Sequence, residues 1–147
     1  MKMTTTKLNE FAWVCVGVAV ENNAAPVSAV HLTKEGDIIV NTAKLKDIVL
    51  IEKWQEGMLV SNRYLIIRCD RKKAIPGFIR NEMLSDEGCE KRRKICRDAV
   101  LPHQKAKKYA ELKFKLPPLE MQEFIYSLQK SVDAAARRER WRNITAK

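Results

Sequence analysis

A stripe of apolar residues near the C-terminus constrains the fold of this chain more than any other feature of the sequence. Its members are Met121, Ile125, Leu128, Val132 and Ala135. Because they follow one another at alternating steps of four and three residues, they lie on one side of an α-helix. Two prolines precede the stripe, and a proline suits a first helical turn, where its missing N–H has no partner. The sequence therefore predicts a helix over residues 118–140.

The rest of the chain has several segments with the composition of β-strands. Residues 11–20 are apolar throughout and turn-forming residues follow them, which predicts a central strand buried on both faces. Segments 27–33 and 37–41 flank a short loop that contains a glycine, as the strands of a hairpin do. Residues 58–69 are again β-like in composition, and residues 112–116 alternate as a half-buried strand does.

Two further segments have helical spacing. A polar pair at 41–42 offers an N-cap, and the apolar residues after it predict a short helix over residues 43–55. Residues 86–101 form a second helical pattern, which Pro102 ends. The polar residues 1–9 are predicted to be a loose or short leading segment. The predicted fold class is therefore α+β, a small antiparallel or mixed sheet from the N-terminal two-thirds that C-terminal helices pack against.

Charge divides the chain into two parts. A length of 147 residues with a hydrophobic share of 46% predicts a single domain over residues 1–147, with a near-neutral β-rich part, 10–70, and a basic, mainly helical part, 86–142. Residues 1–89 hold 12 Lys/Arg against 11 Asp/Glu, whereas residues 90–147 hold 16 against 7. This asymmetry attracts anionic partners such as nucleic acid, an acidic protein face or lipid head groups.

The end of the last predicted helix combines arginines with a tryptophan. The cluster comprises Arg137, Arg138, Arg140, Trp141 and Arg142. At about 100° per residue, Trp141 projects roughly opposite the apolar stripe. An aromatic ring among guanidinium groups suits phosphate contacts and stacking on an unpaired base. The run from Arg137 to Arg140 resembles the arginine-rich peptides of phage antiterminators over these four residues, and this likeness assigns no family. The alternatives are a solvated helix end with arginine stacked on tryptophan, or a tryptophan that packs on this fold or on a second copy in a homo-oligomer.

A second basic cluster lies within the predicted helix 86–101 and just after it. Its residues are Lys91, Arg92, Arg93, Lys94, Arg97, Lys105, Lys107 and Lys108. Together they are predicted to form a stripe that replaces the counterions of several phosphates, so that binding weakens steeply with salt. The alternative is an exposed helix whose charges only keep the protein in solution. A third group, Arg68, Arg71, Lys72 and Lys73, has the same two interpretations.

The sequence offers few candidates for catalysis or for a bound metal; Glu111-Leu112-Lys113 resembles part of a metal-dependent nuclease motif, but no preceding acidic residue completes it. Cys89 and Cys96 are seven residues apart, about 10.5 Å along a helix, which is too far for one tetrahedral zinc ion. Neither a glycine-rich phosphate loop nor a nucleophile turn occurs, and His31 and His103 are the only histidines. We therefore expect no metal and no cofactor, and we favour a non-enzymatic role. Four cysteines in a chain with a sizeable core favour reduced thiols and a cytoplasmic location, and residues 11–20 are too short to span a membrane.

The preferred hypothesis is a non-enzymatic, basic accessory or regulatory protein that binds DNA or RNA through its C-terminal half, in the style of phage or mobile-element proteins. The alternative is a protein-interaction module, an inhibitor or an assembly subunit, that docks on an acidic protein partner.

Overall fold

The structure, a computed structural model, describes the backbone of residues 3–18 and 29–145 and the side chains within 3–18 and 30–132. Its strands are β1 (Thr4–Lys7), β2 (Ala12–Val16), β3 (Ile38–Asn41), β4 (Ile48–Leu50), β5 (Tyr64–Cys69) and β6 (Lys113–Leu116). Its helices are α1 (Leu8–Phe11), α2 (Pro76–Leu84), α3 (Asp86–Asp98), α4 (Pro102–Ala110) and α5 (Leu119–Thr145). Single 3₁₀ turns occur at Ala29–His31 and at Lys53–Gln55. No helix of these described residues is long and apolar enough to cross a bilayer.

Two antiparallel sheets form the β part of the fold. Four strands pair in the order β2-β5-β3-β4, and β1 pairs with β6. Successive side chains of a strand point to opposite faces, and both faces of the larger sheet are buried. Ile38 and Val40 belong to the main apolar cluster with residues of α2, α3 and α4. Ile39 and Ile66 belong to a smaller cluster with Ile51. The predicted α+β class is confirmed, and both sheets are antiparallel.

Several predictions for the β part of the chain differ from the structure. Residues 11–20 contain an edge strand, since β2 pairs only with β5 and α4 packs along it, and Trp13 is 42% exposed. Residues 27 and 28 lie outside the described residues, and the described part of segment 27–33 forms no hairpin with 37–41, because β3 pairs with β4 and β5 and Leu32 forms an isolated bridge with Leu59. The leading segment was predicted to be loose or short; Thr4 to Lys7 are ordered and form the short strand β1 opposite β6.

The helix predicted over residues 43–55 is absent. Asn41 does act as a local cap, since its Oδ1 accepts hydrogen bonds from the backbone N–H groups of Ala43 and Lys44. The chain then turns back, and Ile48 and Val49 pair with β3 in a strand where the prediction had placed the middle of a helix. β-Branched residues suit such a strand, and pairing across the sheet outweighs the weak local preference for a helix.

The last predicted helix is confirmed, but its apolar stripe does not follow the core along its length. Met121 and Ile125 are half-buried, whereas Leu128 is 52% and Val132 67% exposed. Among the described side chains of this helix, Gln122 is buried; it accepts a hydrogen bond from the Ile75 N–H and donates to Pro117 O. The helix is therefore anchored near its N-terminal end, and its apolar side is uncovered from Leu128 onward among the described residues.

Candidate nucleic-acid interface

Helix α3 carries most of the second basic cluster, and its N-terminus is well formed. The Ser85 hydroxyl accepts a hydrogen bond from the Gly88 N–H at 3.1 Å, which satisfies one of the free donors of the first turn. Asp86 and Glu87 follow, where their charge complements the helix dipole. Gly88 lets α3 approach α2, because a Cβ at this position would lie 2.2 Å from Glu82 O.

Arg92 is not on the surface, contrary to the sequence prediction. Its relative exposure is 0%. Its guanidinium donates from Nη1 to Met83 O at 2.7 Å, from Nη2 to Leu45 O, and from Nε to the Tyr109 hydroxyl at 3.3 Å. A guanidinium carries five donors in a planar fork, which suits acceptors on three different elements. Arg92 therefore ties α3 to α2, to α4 and to the loop after β3, and its buried guanidinium is not accessible to a partner.

Tyr109, the hydroxyl partner of Arg92, is also buried. Burial raises the pKa of the Tyr109 phenol, and the neighbouring Arg92 opposes this shift. The phenol thus stays neutral at physiological pH. The contact is one hydrogen bond within the core and holds α4 against α3.

The exposed cations of α3 lie on different sides of the helix. At about 100° per residue, Lys91 and Arg93 are roughly 200° apart. Lys91 Nζ lies 3.3 Å from Lys113 O on β6 and 3.4 Å from the Glu87 carboxylate. Arg93 forms an ion pair with Glu90. The four consecutive basic residues therefore do not make one face: Arg92 is buried, Lys91 and Lys94 lie on one side of α3, and Arg93 lies on another.

Helix α4 adds three more of the predicted residues. Lys107 and Lys108 are exposed, and neither forms an ion pair among the described side chains. Lys105 is half-buried, and its Nζ lies 3.4 Å from Thr42 O. Lys94 and Arg97 on α3 are likewise exposed, with Arg97 Nε 3.5 Å from the Asp98 carboxylate.

The loop between β3 and β4, residues 42–47, brings further cations to this region. Lys44 and Lys46 are exposed, and Thr42 O of the same loop accepts from the Cys96 thiol at 3.0 Å. The sequence prediction missed both lysines because it assigned them to a helix. Asn41, just before the loop, and Asp47, its last residue, are turn-forming residues, but no local signal connects the loop to α3.

The arginine and tryptophan cluster lies on the backbone of α5, which continues to Thr145. The side chains of Arg137, Arg138, Arg140, Trp141 and Arg142 lie outside the described residues. The projection of Trp141 away from the apolar stripe therefore stays a prediction.

The described surface also has concave regions. A cavity of about 260 Å³ lies between the α2–α3 junction and β6, and burial together with the nearby Glu87 charge raises the pKa of Glu82 in its wall. A wider groove of about 890 Å³ has Trp54, 77% exposed, at its edge. The charged residues lining this groove are Lys53, Arg71, Lys130, Glu35, Glu52 and Glu123. Because the charges of these six residues cancel, the groove is less suited to phosphate than the surface around α3 and α4.

Among the described residues, no group of three His, Cys, Asp or Glu side chains is placed to hold a metal ion. The four cysteines are unpaired. Burial raises the pKa of the Cys69 thiol to about 12.

The fold is an α+β arrangement in which helices cover a four-stranded antiparallel sheet and a two-stranded sheet pairs β1 with β6. Neither a protein-family model nor a curated protein matches the chain. Among solved structures, the fold is similar to the crystal structure of the HsdS subunit from Thermoanaerobacter tengcongensis, with a TM-score of 0.69 and 21% sequence identity. The likeness covers 94% of this chain and 44% of that chain, so this chain spans less than half of the length of that subunit.

Proposed function

We propose that this chain is a non-enzymatic DNA-binding protein, a subunit of the specificity kind found in restriction–modification systems, and that its basic C-terminal half contacts the DNA. The observation that carries the proposal is the fold likeness to an HsdS subunit over nearly the whole chain. The concentration of positive charge after residue 89 is a second, independent support. The fold likeness favours DNA over RNA, which the sequence left open.

The contacts with phosphate are assigned to exposed cations of α3 and α4 and to the arginines near the end of α5. On α3 and α4 these are Lys91, Arg93, Lys94, Arg97, Lys107 and Lys108, and on α5 they are Arg137, Arg138, Arg140 and Arg142. Lysine and arginine contacts to phosphate supply most of the sequence-independent affinity for a duplex. Their spread over several elements suits a duplex, whose phosphates are themselves distributed over a wide surface.

Fluorescence anisotropy with a labelled mixed-sequence DNA duplex tests the proposal. We expect binding at about 50 mM salt that weakens steeply toward about 200 mM, with a log–log slope near −0.9 for each phosphate contacted. Unlabelled RNA hairpins and single-stranded DNA serve as competitors, and duplex DNA should compete best. Absence of duplex binding at the low salt concentration would refute the proposal.

Two sets of variants locate the interface. Replacing Lys107 and Lys108 with glutamate should weaken duplex binding and flatten its salt dependence, whereas the same change at Lys72 and Lys73, which are also exposed and consecutive, should have a smaller effect. Trp141→Ala tests the predicted stacking separately, since loss of base stacking costs roughly 1–3 kcal/mol of single-strand affinity. Unchanged single-strand binding would assign Trp141 a packing role.

A protein-interaction module is the second candidate, and one observation favours it. Phe124, Leu128 and Val132 are 59%, 52% and 67% exposed and follow one another at steps of four residues on α5. Successive exposed apolar residues on one helix face are typical of a surface that a protein partner covers, and a second copy of this chain is the simplest such partner. Sedimentation of the wild type and of Leu128→Glu, with the exposed Ser131→Glu as control, tests this. A monomeric wild type at high concentration would contradict self-association.

A further inference from the structure

We propose that the β3–β4 loop, residues 42–47, is a phosphate-contacting element of the DNA interface, and that buried Arg92 is a positioning residue for it. This inference rests on the proposed DNA-binding function and adds Lys44 and Lys46, neither of which belongs to the clusters visible in the sequence. The loop is held in place by hydrogen bonds, and the charges it presents are mostly free of acidic partners.

Local hydrogen bonds close the loop at both ends. Asn41 Oδ1 accepts from the backbone N–H groups of Ala43 at 2.8 Å and of Lys44 at 3.1 Å, and Asn41 Nδ2 donates to the Asp47 carboxylate at 2.9 Å. Thr42 donates from its backbone N–H and from its hydroxyl to Arg63 O, each at 3.1 Å. The loop backbone is therefore fixed while the side chains of Lys44 and Lys46 remain exposed.

Tertiary contacts then hold the loop against α3. Leu45 O accepts from the Arg92 guanidinium, and Thr42 O accepts from the Cys96 thiol. Both donors lie on α3. Since ordering a loop on binding costs conformational entropy, a loop that is already held presents its charges to a ligand at lower cost.

The charge near the loop is predominantly positive. Lys105 Nζ lies 3.4 Å from Thr42 O, so α4 adds its cation beside Lys44 and Lys46. Lys46 Nζ has one weak contact, 3.5 Å from Leu84 O, which a phosphate can replace. The acidic residue of the loop, Asp47, is already engaged by Asn41 Nδ2 and by the Tyr64 hydroxyl.

The test compares two double variants of the full chain that remove the same charge. Lys44→Ala with Lys46→Ala removes the loop cations. Lys34→Ala with Lys53→Ala removes two exposed lysines near the opposite end of β3 and β4. With a mixed-sequence duplex, the loop pair should lower affinity and reduce the salt slope by about 2, close to one for each phosphate that the loop lysines no longer reach, and the control pair should not. If the wild type binds and the two pairs behave alike, the inference is overturned. If the wild type does not bind, the proposed function fails instead.

The positioning role of Arg92 needs a readout that loss of stability alone would not give. Arg92→Lys is introduced into the wild type and into the loop pair, with folding checked by circular dichroism. If Arg92 acts through the loop, its effect on duplex affinity should be clear in the wild type and small in the loop pair, because contacts that act as a unit are not additive. Equal losses in both backgrounds would overturn the role. Should Arg92→Lys fail to fold, Cys96→Ala removes the other hydrogen bond from α3 to the loop and is measured in the same cycle.

Discussion

Arg92→Met removes the buried guanidinium and replaces the stem of the side chain with an unbranched apolar one. Three acceptors lose their donor: Met83 O, Leu45 O and the Tyr109 hydroxyl. An unsatisfied buried polar group costs about 1–3 kcal/mol, so the gross loss is roughly 3–9 kcal/mol. Removing the charge also removes its desolvation cost, several kcal/mol per buried ion. We therefore expect a net destabilisation of about 2–4 kcal/mol, a large part of the roughly 5–15 kcal/mol typical of a folded domain.

Urea denaturation followed by circular dichroism measures this change in the free energy of unfolding. Arg93→Met is the matched control, because Arg93 is the next residue on α3, its side chain is 58% exposed, and its ion pair with Glu90 is on the surface. Exposed ion pairs contribute roughly 0–1 kcal/mol. If Arg92→Met is no less stable than Arg93→Met, Arg92 does not hold these elements together.

Three further predictions concern the same region and the core. Ser85→Ala removes the hydroxyl that caps α3 and should lower the free energy of unfolding by about 1 kcal/mol, measured by the same urea denaturation. Ser131→Ala, within α5, is the control and should change this free energy little. Gly88→Ala should be destabilising, because the new Cβ would lie 2.2 Å from Glu82 O and α2 and α3 would have to separate to make room for it. This effect opposes the helix preference of alanine over glycine, which is about 1 kcal/mol. A more stable variant would contradict the close packing of the two helices. Burial raises the pKa of Cys69 from 9.0 to about 12, so its stabilising contribution is complete below the unfolded pKa near 9 and is lost as pH rises toward 12. At pH 8 the Cys69 thiolate should be about 1000-fold scarcer than that of an ordinary thiol, and rapid labelling of Cys69 in the native protein would refute this.

The helices with a regular pattern could be predicted from the sequence. α3 begins within its predicted range and ends before Pro102, and α5 carries the expected apolar spacing. Residues 43–55 could not be predicted in the same way, because three- and four-residue spacing over a short segment does not distinguish a helix from a turn followed by a strand. There the pairing of β4 with β3 decided the outcome.

The candidate interface was only partly accessible to sequence reasoning. The predicted lysines of α3 and α4 are exposed, as basic residues usually are, apart from half-buried Lys105. Arg92 is the exception, since it lies among basic neighbours but falls on the helix side that carries Cys89 and Ile95, which are both buried. The sequence shows that Arg92 lies three residues after Cys89 and so on the same side of the helix. Because charged residues are rarely fully buried, a surface position was nevertheless predicted for Arg92.

By itself, the sequence determined the α+β class, the position of the last helix and the concentration of positive charge after residue 89. These features depend on local spacing and on counting, which need no knowledge of distant contacts. Only the tertiary structure decided that β1 pairs with β6, that Arg92 is buried, and that Lys44 and Lys46 lie beside α3 and α4. Each of these features depends on groups far apart in the chain that form hydrogen bonds with one another and bury apolar surface together. A local sequence pattern does not show which distant groups will meet.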